Sequence, residues 1–107
     1  MAPREIYNVV KLVPKPGKFN QVVEAFKAFS QHIEHNEPDT QIYFALQSND
    51  SDELIFVEKY KDGDSLKAHA ASPEFKQFAK AIGSCLAQPP DLKGASFVAG
   101  FEGRSKL

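Results

Sequence analysis

Three observations predict one α+β domain with the element order β-α-β-β-α-β. The chain has 107 residues, the size of a single domain. Two segments carry apolar residues at helical spacing, one from Phe19 to Ile33 and one from Phe75 to Leu86. Four shorter segments rich in β-branched and aromatic residues surround them: one before the first helix, two between the helices and one after the second. That order is the split βαβ pattern of ferredoxin-like sandwiches. The domain takes in residues 1–107, with its core over 5–102.

The first strand is predicted over 6–13, where Pro14 closes it. Pro16 and Gly17 then open a helix. Its residues Phe19, Val22, Val23, Phe26, Phe29 and Ile33 fall within one apolar stripe at about 100° per residue. Glu37-Pro38-Asp39-Thr40 ends that helix, because the residue before a proline is pushed away from helical angles. Strands over 41–48 and 53–60 flank the polar loop Asn49-Asp50-Ser51-Asp52 and read as a hairpin. Asp62 can cap a short helical turn running through Ala70. Ser72-Pro73-Glu74 supplies an N-cap, a proline at the first position and an acid at the positive end of the dipole. Phe75, Phe78, Ala79, Ile82 and Leu86 form the buried stripe of this second helix. After Pro89 and Pro90 a last strand is expected over 95–102.

The strand pattern also implies a partner. In this fold both helices cover one face of the sheet, and the other face should be polar if it meets water. Here Leu54 and Phe56 alternate with Ile55 and Val57. Ile42, Phe44 and Leu46 alternate with Tyr43 and Ala45, and Phe97, Ala99 and Phe101 alternate with Val98. Both faces are apolar, and two sheets packed face to face as a homodimer would cover the second.

Composition excludes several functions. The net charge is −1, and no run of Lys and Arg is long enough to track phosphates, so no nucleic-acid partner is expected. No stretch approaches the roughly 18 apolar residues of a membrane span. Cys85 is the only cysteine, so neither an internal disulfide nor a cysteine-based metal site can form. The opening residues lack an apolar signal region, which gives a cytoplasmic expectation. Ser105-Lys106-Leu107 would spell a peroxisomal address in a eukaryote.

The run Phe56-Val57-Glu58-Lys59-Tyr60-Lys61-Asp62, followed by Leu66-Lys67-Ala68-His69-Ala70-Ala71-Ser72-Pro73-Glu74-Phe75-Lys76, resembles the antibiotic biosynthesis monooxygenase domain. The matching signature is an acid-x-aromatic strand end followed by an Ala-His-x-x-Ser/Thr-Pro-x-aromatic junction. Pro16-Gly17-Lys18-Phe19, Glu37-Pro38 and Tyr43 agree with the same family, while Asp39 stands where it usually has Gly. The resemblance implies a dimeric α/β barrel with a pocket between sheet and helices in each protomer. It also implies several candidate chemistries: cofactor-free oxygenation of aromatic polyketides or quinols, isomerisation of a small phosphorylated sugar, and haem degradation. The haem-degrading branch uses an Asn, a Trp and an axial His. Asn8 matches, but Tyr60 and Ala79 replace the other two, so haem is not expected.

Each candidate residue carries two readings. His69 follows Leu66 by three residues and should face inward, either as a base in a pocket or as a histidine pinning the junction before Ser72. Asn8 shares the face of Ile6, Val10 and Leu12, so its buried amide holds either a substrate oxygen or the backbone. Glu58 and Tyr60 share the face of Leu54 and Phe56. Glu58 is either an ion-pair partner or a pocket carboxyl with a raised pKa. Tyr43 and Tyr60 are hydrogen-bond donors or core residues with wet hydroxyls. His32 and His35 have a spacing that can share a metal, but they lie off the apolar stripe without a third ligand, so no metal site is expected. Cys85 reads as a small packed hydrophobe.

The function expected from this set is a cofactor-free monooxygenase acting with O₂ on a quinol, an anthrone or a polyketide-like aromatic. A phenol of pKa about 10 needs a base near neutral pH, and histidine is the side chain suited to it. His69, Asn8, Tyr60 and Glu58 form the expected catalytic set, with Glu58 tuning His69 or binding a hydroxyl. Tyr43, Phe44, Phe56, Phe75, Phe78 and Phe97 form the expected aromatic cavity. The alternatives are a proton-transfer isomerase using the same groups and a ligand-binding or stress-response protein with no activity.

Overall fold

A computed structural model describes residues 4–104 of the chain. The Ser105-Lys106-Leu107 tripeptide lies outside the described residues. The elements are β1 (Ile6–Leu12), α1 (Phe19–Asn36), β2 (Thr40–Gln47), β3 (Leu54–Tyr60), α2 (Gly63–Ala71), α3 (Pro73–Gly83) and β4 (Asp91–Ala95). The strands form one antiparallel sheet in the order β2-β3-β1-β4, as expected for the ferredoxin-like α+β class. No helix among the described residues is long and apolar enough to cross a membrane.

Local chemistry sets the helix limits. The Glu37 N–H closes α1 on the Ile33 carbonyl at 2.8 Å, and the Thr40 N–H bonds the Glu37 carbonyl at 3.0 Å to turn the chain into β2. Asp62 accepts from the Ser65 N–H at 2.8 Å and starts α2, which is a nine-residue helix rather than the short turn expected. Ser72 ends α2 and starts α3. Its hydroxyl donates to the His69 carbonyl at 2.8 Å and accepts from the Phe75 N–H at 3.1 Å. These bonds fix the corner on which His69 sits.

The helices cover the inner face of the sheet. Val22, Phe26, Phe29 and Ile33 of α1 and Phe78 and Ile82 of α3 pack on Val10, Leu12, Leu54 and Phe56. Phe29 stacks on Phe78 with ring centres 4.8 Å apart, and Phe26 lies 4.4 Å from Phe56. Burying such a side chain contributes about 2 kcal/mol, so packing outweighs intrinsic propensity in holding α1. Cys85 is 1% exposed and completes this core as the small hydrophobe expected.

The last strand departs from expectation. It runs over Asp91–Ala95 rather than 95–102, and it pairs with β1 through Asn8↔Gly94 and Val10↔Leu92. An edge strand of Asp, Leu, Lys, Gly and Ala is held by main-chain bonds and shows no apolar alternation to read. Phe97, Val98 and Phe101 follow it in irregular, exposed chain. Glu102 then anchors that segment, meeting Lys59 at 3.0 Å and accepting from the Tyr7 hydroxyl.

The outer face of the sheet carries two rows set by register. Phe44 pairs with Val57 and Val57 with Val9, while Leu46 pairs with Ile55 and Ile55 with Lys11. Val9, Phe44 and Leu46 are 42–52% exposed. The apolar second face expected from the strand pattern is present on β1, β2 and β3, and no helix among the described residues covers it.

Candidate active site

The same registers place polar residues in a row on the inner face. Tyr43 of β2 pairs with Glu58 of β3, Glu58 with Asn8 of β1, and Asn8 with Gly94 of β4. Tyr60 lies two residues from Glu58 on the same face. Asn8, Glu58, Tyr60 and His69 are each at least 94% buried. They border a cavity of about 600 Å³ between the sheet and α2–α3. That volume is in the range of small-molecule sites. Phe56, Phe75, Phe78 and Leu66 supply apolar walls.

Phe44 and Phe97, expected in this cavity, are not part of it. Tyr43 and Phe44 are neighbours in a strand, so only one of them can face inward, and Tyr43 does. Phe97 lies beyond β4 and is 52% exposed. The remaining aromatic residues expected there, Tyr43, Phe56, Phe75 and Phe78, all border the cavity.

Burial governs the protonation of the inner row. The Tyr60 hydroxyl donates to Glu58 Oε1 at 2.6 Å. Removal from water pushes the Glu58 carboxyl above the usual range, while the Tyr60 bond, the nearby imidazole and Asn8 oppose that shift. The hydroxyls of Tyr60 and Tyr43 are raised, first by burial and then by the field of Glu58, so both stay protonated as donors. No Lys or Arg among the described residues borders the cavity. Lys11 and Lys59 project from the outer face.

His69 is reached from every side. Its ring centre lies 5.2 Å from those of Tyr60 and Phe75, 5.5 Å from Tyr43 and 5.6 Å from Phe29. Its hydrogen-bond partner differs from expectation. Glu58 bonds Tyr60, whereas His69 Nδ1 meets Glu37 Oε1 at 2.8 Å. Glu37 was legible only as the acid of the α1–β2 turn, because the pairing spans 32 residues of sequence. The junction at Ser72 is pinned by the backbone carbonyl of His69, which leaves its imidazole free of that task. His32 and His35 lie away from the cavity, His32 against Glu74 at 3.5 Å and His35 on the surface.

The sequence model of the antibiotic biosynthesis monooxygenase family matches residues 5–81. Comparison with curated proteins finds no match. Among solved structures, a candidate antibiotic biosynthesis monooxygenase from Caulobacter crescentus is 24% identical with a TM-score of 0.86, over 91% of this chain and 92% of that one. A conserved protein from Methanosarcina mazei is 23% identical with a TM-score of 0.81, over 87% and 92%. Rv0793 from Mycobacterium tuberculosis is 20% identical with a TM-score of 0.79, over 94% and 99%. At these identities the likeness to the solved structures speaks to the fold.

Proposed function

Because the chain belongs to the antibiotic biosynthesis monooxygenase family, we propose that it is a homodimeric, cofactor-free monooxygenase of neutral, electron-rich aromatic molecules such as quinols and anthrones. One observation carries the reading: a single imidazole stands among aromatic rings at the edge of a largely apolar cavity that no Lys or Arg among the described residues borders. An uncharged ring suits that lining. A phosphorylated substrate would find no Lys or Arg to meet it, which weighs against the sugar isomerase.

The chemistry follows from the spin of oxygen. Triplet O₂ accepts one electron readily from an electron-rich anion, so the protein's task is to make that anion in a dry site. Ionising a phenol of pKa about 10 at pH 7 costs about 4 kcal/mol, and a positioned base contributes about 10²- to 10⁴-fold in rate. His69 takes the hydroxyl proton of a quinol, or the first of the two acidic C–H protons of an anthrone. The anion passes an electron to O₂, the radical pair forms a C–O bond, and the imidazolium protonates the resulting peroxide. For an anthrone, loss of the C–H proton then cleaves the O–O bond, leaving a carbonyl and releasing water. One O₂ is consumed for each anthrone.

Asn8 and the protonated Tyr43 orient the substrate oxygens in this scheme, while Tyr60 holds Glu58. The apolar outer face supports the homodimer, since an exposed patch of that kind marks an association surface.

An oxygen electrode tests the proposal with anthrone and hydroquinones as substrates. Uptake by the wild type that is lost in His69→Ala is expected. Absence of uptake with every electron-rich phenol, or unchanged uptake in His69→Ala, would refute it.

A further inference from the structure

We infer that Glu37 is the positioning residue that fixes which nitrogen of His69 acts as the base, an inference that rests on the catalytic reading of His69. His69 borders two cavities. One is the substrate cavity; the other, of about 410 Å³, lies across the imidazole and is lined by His32, Asn36, Asp39, Ser65, Ser72 and Glu37 among others. Glu37 borders only the second, so it addresses the imidazole from the side away from substrate.

The bonding around Glu37 leaves one tautomer. Glu37 Oε1 lies 2.8 Å from His69 Nδ1 and accepts from the Thr40 hydroxyl at 3.1 Å. A carboxylate oxygen can only accept, so Nδ1 carries the proton and donates it to Oε1. The other tautomer would set a nitrogen lone pair against an oxygen lone pair at this distance. Nε2 is thereby left as the acceptor. In the proposed reaction the substrate proton moves to Nε2 while the Nδ1 proton stays on its bond to Glu37.

The turn holds Glu37 by its main chain as well. Its N–H bonds the Ile33 carbonyl, and its carbonyl accepts from the Thr40 N–H. The second carboxylate oxygen, Oε2, is buried without a partner among the described residues. A fold that retains an orphaned carboxylate oxygen beside an imidazole keeps a costly group there, and such groups mark functional sites. The titratable groups facing His69 from other elements are Tyr43 of β2 and Glu58 and Tyr60 of β3, and none of them bonds its ring. Glu37 is the carboxylate that does.

The test combines ¹⁵N-histidine NMR of the full chain with oxygen uptake. In the wild type at a pH where His69 is neutral, the shifts should show Nδ1 protonated and Nε2 bare. Glu37→Gln should mix or reverse the tautomers and lower kcat by about 10- to 100-fold, with KM nearly unchanged because Glu37 does not border the substrate cavity. Glu37→Asp should keep the wild-type tautomer and recover part of kcat, separating positioning from a folding defect. A wild-type spectrum with Nε2 protonated would overturn the inference, as would a Glu37→Gln protein with unchanged shifts and unchanged kcat. A tautomer that responds to Glu37 in a protein that oxidises no phenol would uphold the pairing and refute the monooxygenase reading instead.

Discussion

Replacing Tyr60 with Phe removes one oxygen atom from the inner face of the sheet and leaves the ring in place. Tyr60 is fully buried, and its hydroxyl donates at 2.6 Å to a carboxyl that is 6% exposed. A hydrogen bond to a charged group contributes about 1.5–3 kcal/mol, against about 0.5–1.5 for a neutral pair. With Glu58 ionised, the substitution should therefore cost about 2 kcal/mol; with Glu58 protonated, about 1. The sign of the pH dependence follows from linkage. Burial raises the Glu58 carboxyl above its ordinary value of 4.5, so the wild type already loses stability as pH rises through the native-state titration. The Tyr60 bond opposes that rise, and Tyr60→Phe enlarges it, so the mutant deficit should grow as pH rises through the wild-type native-state titration of Glu58, above the ordinary carboxyl value. Thermal unfolding followed by circular dichroism at pH 8 and pH 4.5 reads the difference. The melting temperature should fall by about 10 °C at pH 8 and by roughly half that at pH 4.5. A deficit equal at both pH values would refute the reading of Glu58 as a buried carboxyl held by Tyr60.

Two further outcomes are expected. Phe44→Asp places a charge on the outer apolar face, at the β2 end of the Phe44–Val57–Val9 row; light scattering should read about twice the 11.9 kDa chain mass for the wild type and near 11.9 kDa for the variant. Ser72→Ala removes the cap of α3 together with the bond to the His69 carbonyl, and thermal denaturation should report a loss of about 1–2 kcal/mol.

Much of the fold was legible because its signals are local. The stripe from Phe19 to Ile33, the Ser72-Pro73-Glu74 start of α3 and the alternation in β3 each specify an element within a few residues. Parity in the strands also put Asn8, Glu58 and Tyr60 on one face, where they border the cavity. The misplacements have equally local causes. β4 is an edge strand whose five residues are all exposed, so its pattern held no burial signal, and the apolar residues just beyond it drew the expected strand toward Phe97. Phe44 follows Tyr43 in β2, and strand alternation sends it to the outer face while Tyr43 borders the cavity. The Glu37–His69 bond joins the end of α1 to the end of α2, and no short-range pattern records such a contact.

The proposed monooxygenase activity is tested most directly by mass spectrometry of the product formed from anthrone under ¹⁸O₂, with the protein as purified and no cofactor added. One ¹⁸O atom is expected in each product carbonyl formed by the wild type, with the second oxygen atom leaving as water and labelled product lost in His69→Ala. Product oxygen drawn from solvent, or label incorporated at the same rate by His69→Ala, would contradict it.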